Sequence, residues 1–244
     1  MKKITLAVLL LFAVFAVCAL PAAAETSPTD RVILTSGYGE SVTTPDKVTI
    51  SFAVQTTDPD VKVAQQQNAQ ASSAVIAALK NAGIAEKDLK TTGYNIYSYV
   101  IGEYNPGKWP NGTEVYQVTN TIQMTSYDVS KAGDYIDTAV AAGANNVNNL
   151  QFGLSNAKQI SERNNALVSA VKASRADADA VAGALNVRII STGTIQIDQS
   201  RYSVSYPTYE TTMMVKDSMA GSAQTQIQSG ELKTTATVSI AYTY

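Results

Sequence analysis

The sequence predicts an α+β fold: an antiparallel or mixed sheet with helices packed on one face. Three observations carry this reading. Val48, Ile50, Phe52 and Val54 alternate with Thr49, Ser51, Ala53 and Gln55, the period of a strand with one buried face. Two strand-like runs flank a stretch dense in turn formers, Gly102 to Gly112, which reads as a long hairpin with a wide, exposed tip. Segments of helical spacing lie between the strands, giving the order strands, helix, hairpin, helix, strand, long helix, strand, strand; hairpins and alternation argue against a parallel sheet.

Each element has its own justification. After the first alternating strand comes Asp58-Pro59-Asp60, where an aspartate caps a helix and proline suits the first turn. That helix runs to about Asn81, with Gly83 closing it. Ala64, Ala71, Val75, Ala78 and Leu79 form its apolar stripe, and its other face is Gln, Asn and Ser. Leu89 to Ile101 is a tyrosine-rich strand and Val115 to Thr125 its return. Asp128 caps a short helix, Val129 to Ala142, closed by Gly143, and Val147 to Leu154 is a short strand. A long helix spans about Lys158 to Leu185, with Ile160, Leu167, Val171, Ala178, Val181 and Leu185 as its expected stripe. Ile189 to Ile197 is a strand, and Asp198 to Gln226 is polar and irregular. Leu232, Thr234, Ala236, Val238, Ile240 and Tyr242 line one face of a closing strand.

The ends bound the cellular setting. Lys2 and Lys3 precede an apolar run from Ile4 to Leu20, then Pro21 and Ala22-Ala23-Ala24. This is the pattern of a secretory signal peptide, residues 1–24, cleaved before Glu25. An uncleaved anchor is the alternative, since the run is close to the roughly 17 residues a spanning helix needs. Residues 25–31 read as a mobile polar lead-in, and 32–244 as one domain. Cys18 is the single cysteine. Phe15-Ala16-Val17 before it is a poor lipobox, so it reads as part of the apolar segment. Removing residues 1–24 leaves 220 residues with no cysteine, 16 basic and 20 acidic side chains, and a net charge of −4. That balance offers no electrostatic footprint for nucleic acid.

The chain has no histidine. This removes the Ser-His-Asp triad, the commonest general base and the commonest metal ligand. Carboxylate, lysine or tyrosine chemistry is all that remains to an enzyme. Gly37-Tyr38-Gly39 lacks the third glycine of a dinucleotide loop, because residue 42 is Val. It also precedes a turn and a strand where a phosphate site needs a helix N-terminus. It reads as a strand end needing small residues, with Pro45-Asp46 turning the chain.

From this point the sequence resembles the SIMPL-domain family. Gly37-x-Gly39, Pro45-Asp46 and the alternating strand look like its opening. Asn81-Ala82-Gly83-Ile84 closing an Ala/Asn/Gln helix, and Asp88-Leu89-Lys90-Thr91-Thr92 entering the tyrosine strand, are similar to its next elements. So are Tyr116-Gln117-Val118-Thr119-Asn120, then Gly143-Ala144-Asn145 before Val147 and Phe152, and Arg163 and Ala166 opening the long helix. The likeness covers about Val32 to Tyr242. One departure is Leu185-Asn186-Val187-Arg188, where the family often has a glycine-containing turn. The resemblance implies an α+β fold, export to the envelope, a tendency to self-associate and an association with oxidative or envelope stress. It implies no catalytic residue and no cofactor.

The contact candidates are aromatic. Tyr94, Tyr97, Tyr99, Tyr104, Trp109 and Tyr116 cluster on the hairpin. Tyr94 to Tyr99 read as ordinary cross-strand packing. The expected contact surface is Tyr104 and Trp109 at the tip, with Tyr202, Tyr206 and Tyr209 in the irregular stretch, since Tyr and Trp are enriched at interfaces. Asn111-Gly112-Thr113 is a glycosylation sequon, and equally an Asn-Gly turn. The D-x-D pairs Asp58/Asp60 and Asp177/Asp179 read as a cap and as residues on different helix faces, not as a metal site. The asparagines around Val147 read as a turn, and Met213, Met214 and Met219 as apolar contacts under a loop. The expected function is a non-enzymatic, exported envelope protein acting through self-association, as a homo-oligomer, or through an envelope protein or glycan partner. A carbohydrate-binding module using the same aromatics is the alternative.

Overall fold

The computed structural model describes residues 31–102, 108–198, 204–205 and 225–244. In the expected α+β fold the strands divide into two antiparallel sheets. The first has the order β1 (Val32–Thr43), β8 (Leu232–Thr243), β6 (Ser191–Asp198), with the short β7 (Val204–Ser205) also pairing with β8. The second has the order β3 (Leu89–Val100), β4 (Glu114–Ser126), β2 (Lys47–Asp58), β5 (Asn146–Gly153). The helices are α1 (Val61–Asn81), α2 (Ala132–Ala141) and α3 (Asn156–Ala184). The split follows from pairing that sequence periodicity does not show: β1 pairs with β8, Val32 opposite Thr243 through Thr43 opposite Leu232.

The second sheet holds the larger core. Val48, Ile50, Phe52 and Val54 of β2 and Ile122 and Met124 of β4 are buried with Val75 and Leu79 of α1. Ala132, Tyr135 and Ala139 of α2 join them. Each large apolar side chain buried in this way contributes about 1.5–3 kcal/mol. α1 starts as expected: the Asp60 side chain accepts a hydrogen bond from the Lys62 amide at 2.8 Å. Its buried face corrects the sequence reading, because Asn68 and Ser72 lie on it. Asn68 Nδ2 donates to the carbonyls of Val54 (2.8 Å) and Val118 (3.0 Å), and Ser72 donates to Asn68 Oδ1 at 3.3 Å. A buried amide is tolerated here because strand carbonyls accept from it.

The first sheet packs against α3, and here the expected stripe is wrong. Ala166, Ala170, Ser174, Ala178 and Ala182 are the buried residues of α3. Ile160, Val171, Val181 and Leu185 are exposed, and of the expected stripe only Ala178 is buried, with Leu167 packed partly against the core. The cause is Gly37 and Gly39, which lie inside β1 and not at a strand end. A Cβ on Gly37 would lie 2.7 Å from the Ser174 nitrogen, and one on Gly39 would be 2.9 Å from the Ser169 carbonyl carbon. The helix presses so close to the strand that only small residues fit between them. Thr35 Oγ1 fastens the contact by donating to the Ser174 carbonyl at 2.9 Å.

The three helices end alike. The Ile84 amide donates to the Leu79 carbonyl and Gly83 to Lys80; Ala144 donates to Ala139 and Gly143 to Val140. Gly83 (φ 100°) and Gly143 (φ 119°) supply the left-handed residue of this cap. At α3, Val187 donates to Ala182 and Asn186 to Gly183. Asn186, at φ 55°, is the left-handed residue, so asparagine does what glycine does elsewhere. α2 begins later than expected: Val129–Lys131 is a 3-10 turn, and Asp128 accepts from Ser130 Oγ at 2.6 Å.

Among the described residues, two joints connect the sheets. Asp46, in the turn between β1 and β2, accepts from the Ser155 amide and hydroxyl, each at 2.6 Å. Ser155 is the N-cap of α3. Residues 225–230 form the other joint. Thr225 bonds to Asp137 of α2, and Ile227 packs on the second-sheet core, before the chain enters β8.

Candidate functional site

The hairpin β3–β4 is the candidate contact surface. Among the described residues β3 pairs only with β4 and is an edge of its sheet. From Gly93 onward its register is unbroken, Gly93 opposite Thr121 through Val100 opposite Glu114; an irregularity falls between Thr91 and Gly93. Neighbouring residues of a strand point to opposite faces. Tyr94, Ile96, Ser98 and Val100 therefore share the side of α1, and Gly93, Asn95, Tyr97 and Tyr99 the other side. α1 sits over β2 and β4. It leaves β3 uncovered: Tyr94 is 46% exposed, Ile96 43% and Tyr97 52%. The Tyr97 and Tyr99 rings lie 6.0 Å apart, tilted by 34°. Packing across the hairpin, expected for these tyrosines, leaves them open to solvent because they lie on an edge.

Toward the tip the ladder continues beyond the strands. Ile101 is buried, its amide donates to Thr113, and its carbonyl accepts from Gly112 at 2.8 Å. Gly112 has φ 84°, and Asn111 is exposed, the geometry of an Asn-Gly turn. Trp109 is half-buried, with Lys108 Nζ 5.2 Å from its ring centroid, a cation over an aromatic face. Tyr104, Tyr202, Tyr206 and Tyr209 lie outside the described residues, as do Cys18 and Met213, Met214 and Met219. The exposed row on β3 could have been found in the sequence. From Gly93 to Val100 it carries apolar or aromatic residues on both faces and no charge, unlike a strand with one solvated side.

Other polar side chains make local structural contacts. Among the described residues no group of three or more Asp, Glu, Cys or His is placed to hold a metal ion. Asp58 accepts from the Asp60 amide at 3.0 Å. Asp179 pairs with Arg175 four residues earlier at 3.0 Å. Asn145, from the asparagine cluster, exchanges two hydrogen bonds with the backbone of Gln55, at 2.9 and 2.7 Å, so its side chain stands in for a neighbouring strand. Burial works to raise the Asp46 carboxyl, but the two bonds from Ser155 and the charge of Lys158 outweigh it and hold it below the usual carboxylate range. The hydrogen bond from Lys233 holds the exposed Glu40 low. No described helix is long and apolar enough to cross a membrane.

Fold and site together define an α+β protein of two antiparallel sheets with an exposed aromatic edge hairpin. The chain belongs to the SIMPL family, whose model, described as a protein of unknown function (DUF541), matches residues 33–242. It is 27% identical over 190 residues to the uncharacterized protein YggE of Edwardsiella ictaluri, covering 78% of this chain and 77% of the relative. It is 26% identical over 152 residues to the 26 kDa periplasmic immunogenic protein of Brucella melitensis, covering 61% of this chain and 60% of that protein. It is 25% identical over 147 residues to YggE of Escherichia coli K12, covering 60% of this chain and 58% of the relative.

Proposed function

We propose that the protein is an exported, non-catalytic component of the cell envelope that works by contact, with further copies of itself or with another envelope component. The observation that carries this is the uncovered hairpin. Tyr94, Tyr97 and Tyr99 stand open on an edge strand that leads to Trp109. Aromatic side chains left in water on a long strand are the usual material of an interface. The signal-like residues 1–24 and the name of the Brucella relative support a periplasmic or cell-envelope location. A part in envelope stress protection rests on the family resemblance, and a deletion strain challenged with oxidant tests it.

Light scattering and intact mass on protein from its own envelope test the contact reading. The expected result is an assembly of chains starting at Glu25. Tyr104→Ala with Trp109→Ala, and separately Tyr97→Ala, are expected to reduce the assembly or the capture of partners. Unchanged size and unchanged capture in both would remove the hairpin from this role.

A carbohydrate-binding reading draws on the Tyr97–Tyr99 pair, two rings on one face of the strand. Trp109 is the single tryptophan, so its fluorescence reports on the tip alone. A saturable change with envelope glycans, from a protein that stays monomeric, favours this reading over self-association.

A further inference from the structure

We propose that β3 is the seat of a two-fold contact between copies of this chain, with β3 of one copy adding antiparallel to β3 of another about a dyad at Ile96. The inference rests on the self-association reading and deepens it by naming the interface. A free strand edge presents a row of unpaired donors and acceptors, and proteins that stay single blunt such edges with charge, proline, bulges or cover. Each of the other described edges carries at least one such feature. β5 and β6 each have an irregular register and eight residues. β1 lies against α3 and carries Glu40, ion-paired with Lys233. β3 from Gly93 to Val100 has no charge, no proline and no irregularity.

Symmetry selects the occupant and the register. The span Gly93 to Tyr99 has Ile96 at its centre, and in an antiparallel pair about that centre residues equally far from it face each other. Ile96 then meets Ile96 of the second copy on the side of α1. On the other side Tyr99 of each copy lies over Gly93 of the other, where a ring covers the bare backbone of an edge glycine. Tyr97 faces Asn95, and Tyr94 faces Ser98. Every exposed apolar residue of the span gains a neighbour and no charge is buried. Between Gly93 and Val100 a charged peptide would find no charge to pair with. The result is one continuous eight-stranded sheet with a closed, isologous contact.

Cysteine cross-linking in a Cys18→Ser background, which leaves no native cysteine, tests the register. Ile96→Cys is expected to give a disulfide-linked dimer under mild oxidation, because cross-strand partners lie within disulfide reach. Tyr94→Cys alone is expected to give none, since its copies would be roughly 13 Å apart at about 3.3 Å per residue. Tyr94→Cys mixed with Ser98→Cys is expected to link. Ile96→Lys, with unchanged circular dichroism, is expected to lower the scattering mass about twofold. If the wild-type protein assembles but Ile96→Cys does not link and Ile96→Lys keeps its mass, this interface is wrong while self-association stands. Tyr94→Cys linking to itself would refute the Ile96 dyad. A wild-type protein that is monomeric at every concentration overturns both readings.

Discussion

Gly37 and Gly39 set the distance between α3 and the first sheet, and no larger residue can keep it. The methyl group of Gly37→Ala would press on helix backbone, which cannot rotate away as a side chain can. Overpacking of this kind costs typically 1–3 kcal/mol; for this variant a loss of about 3 kcal/mol is expected, because backbone gives way least. Urea unfolding measures it, and a change below about 0.5 kcal/mol, the range of a neutral surface substitution, would show that the helix can lift without penalty. Asn68 shows another local logic. Its amide lies in the core because two strand carbonyls, Val54 and Val118, need a donor there, a need invisible in a list of polar residues.

At the scale of elements, α3 inverts the ordinary rule that the large aliphatic residues of a helix face the core. Its small residues do, and Ile160, Val168 and Val171 look outward. Ala170→Leu is therefore expected to destabilise by about 1–3 kcal/mol, and Val168→Lys to stay within roughly 0.5 kcal/mol. Thermal unfolding of the two variants decides the orientation of the helix, since the periodicity of large apolar residues predicts the opposite ranking. The contrast shows what the sequence carried. Strand β8 was legible to the residue, because Leu232, Thr234, Ala236, Val238, Ile240 and Tyr242 are its buried face. So were the capping Asp60 and the closing Gly83, whose signals are local. The face of α3 was hidden because it depends on two glycines in a strand more than a hundred residues away. The exposure of β3 was hidden because being an edge is a property of the sheet. The turn at Leu185-Asn186 has no glycine, yet Asn186 takes the left-handed geometry that Gly83 and Gly143 take at the other helix ends.

At the scale of the whole molecule, the two sheets are held together through the turn at Asp46 and the strap at Thr225. Asp46 is ionised more readily in the folded chain than in the unfolded one. Such a group contributes stability above its unfolded pKa and loses it as pH falls through the lowered folded value. Stability of the wild-type protein is thus expected to fall on acidification through that range more steeply than that of Asp46→Asn. Parallel slopes in urea titrations at several acidic pH values would assign the acid sensitivity to other groups. The pairing of β1 with β8 has a consequence of a different kind, in the order of events during synthesis. β1 is the first described strand to leave the ribosome, and its partner is the last. The segments of the second sheet, Lys47 to Gly153, are made in between and have every strand they need. Contacts distant in sequence close late, so β1 waits, half-dressed by α3, until the final strand arrives. In pulsed hydrogen exchange during refolding, the amides of β2 and β4 are expected to gain protection before those of β1. The first described strand is thus completed by the last described one.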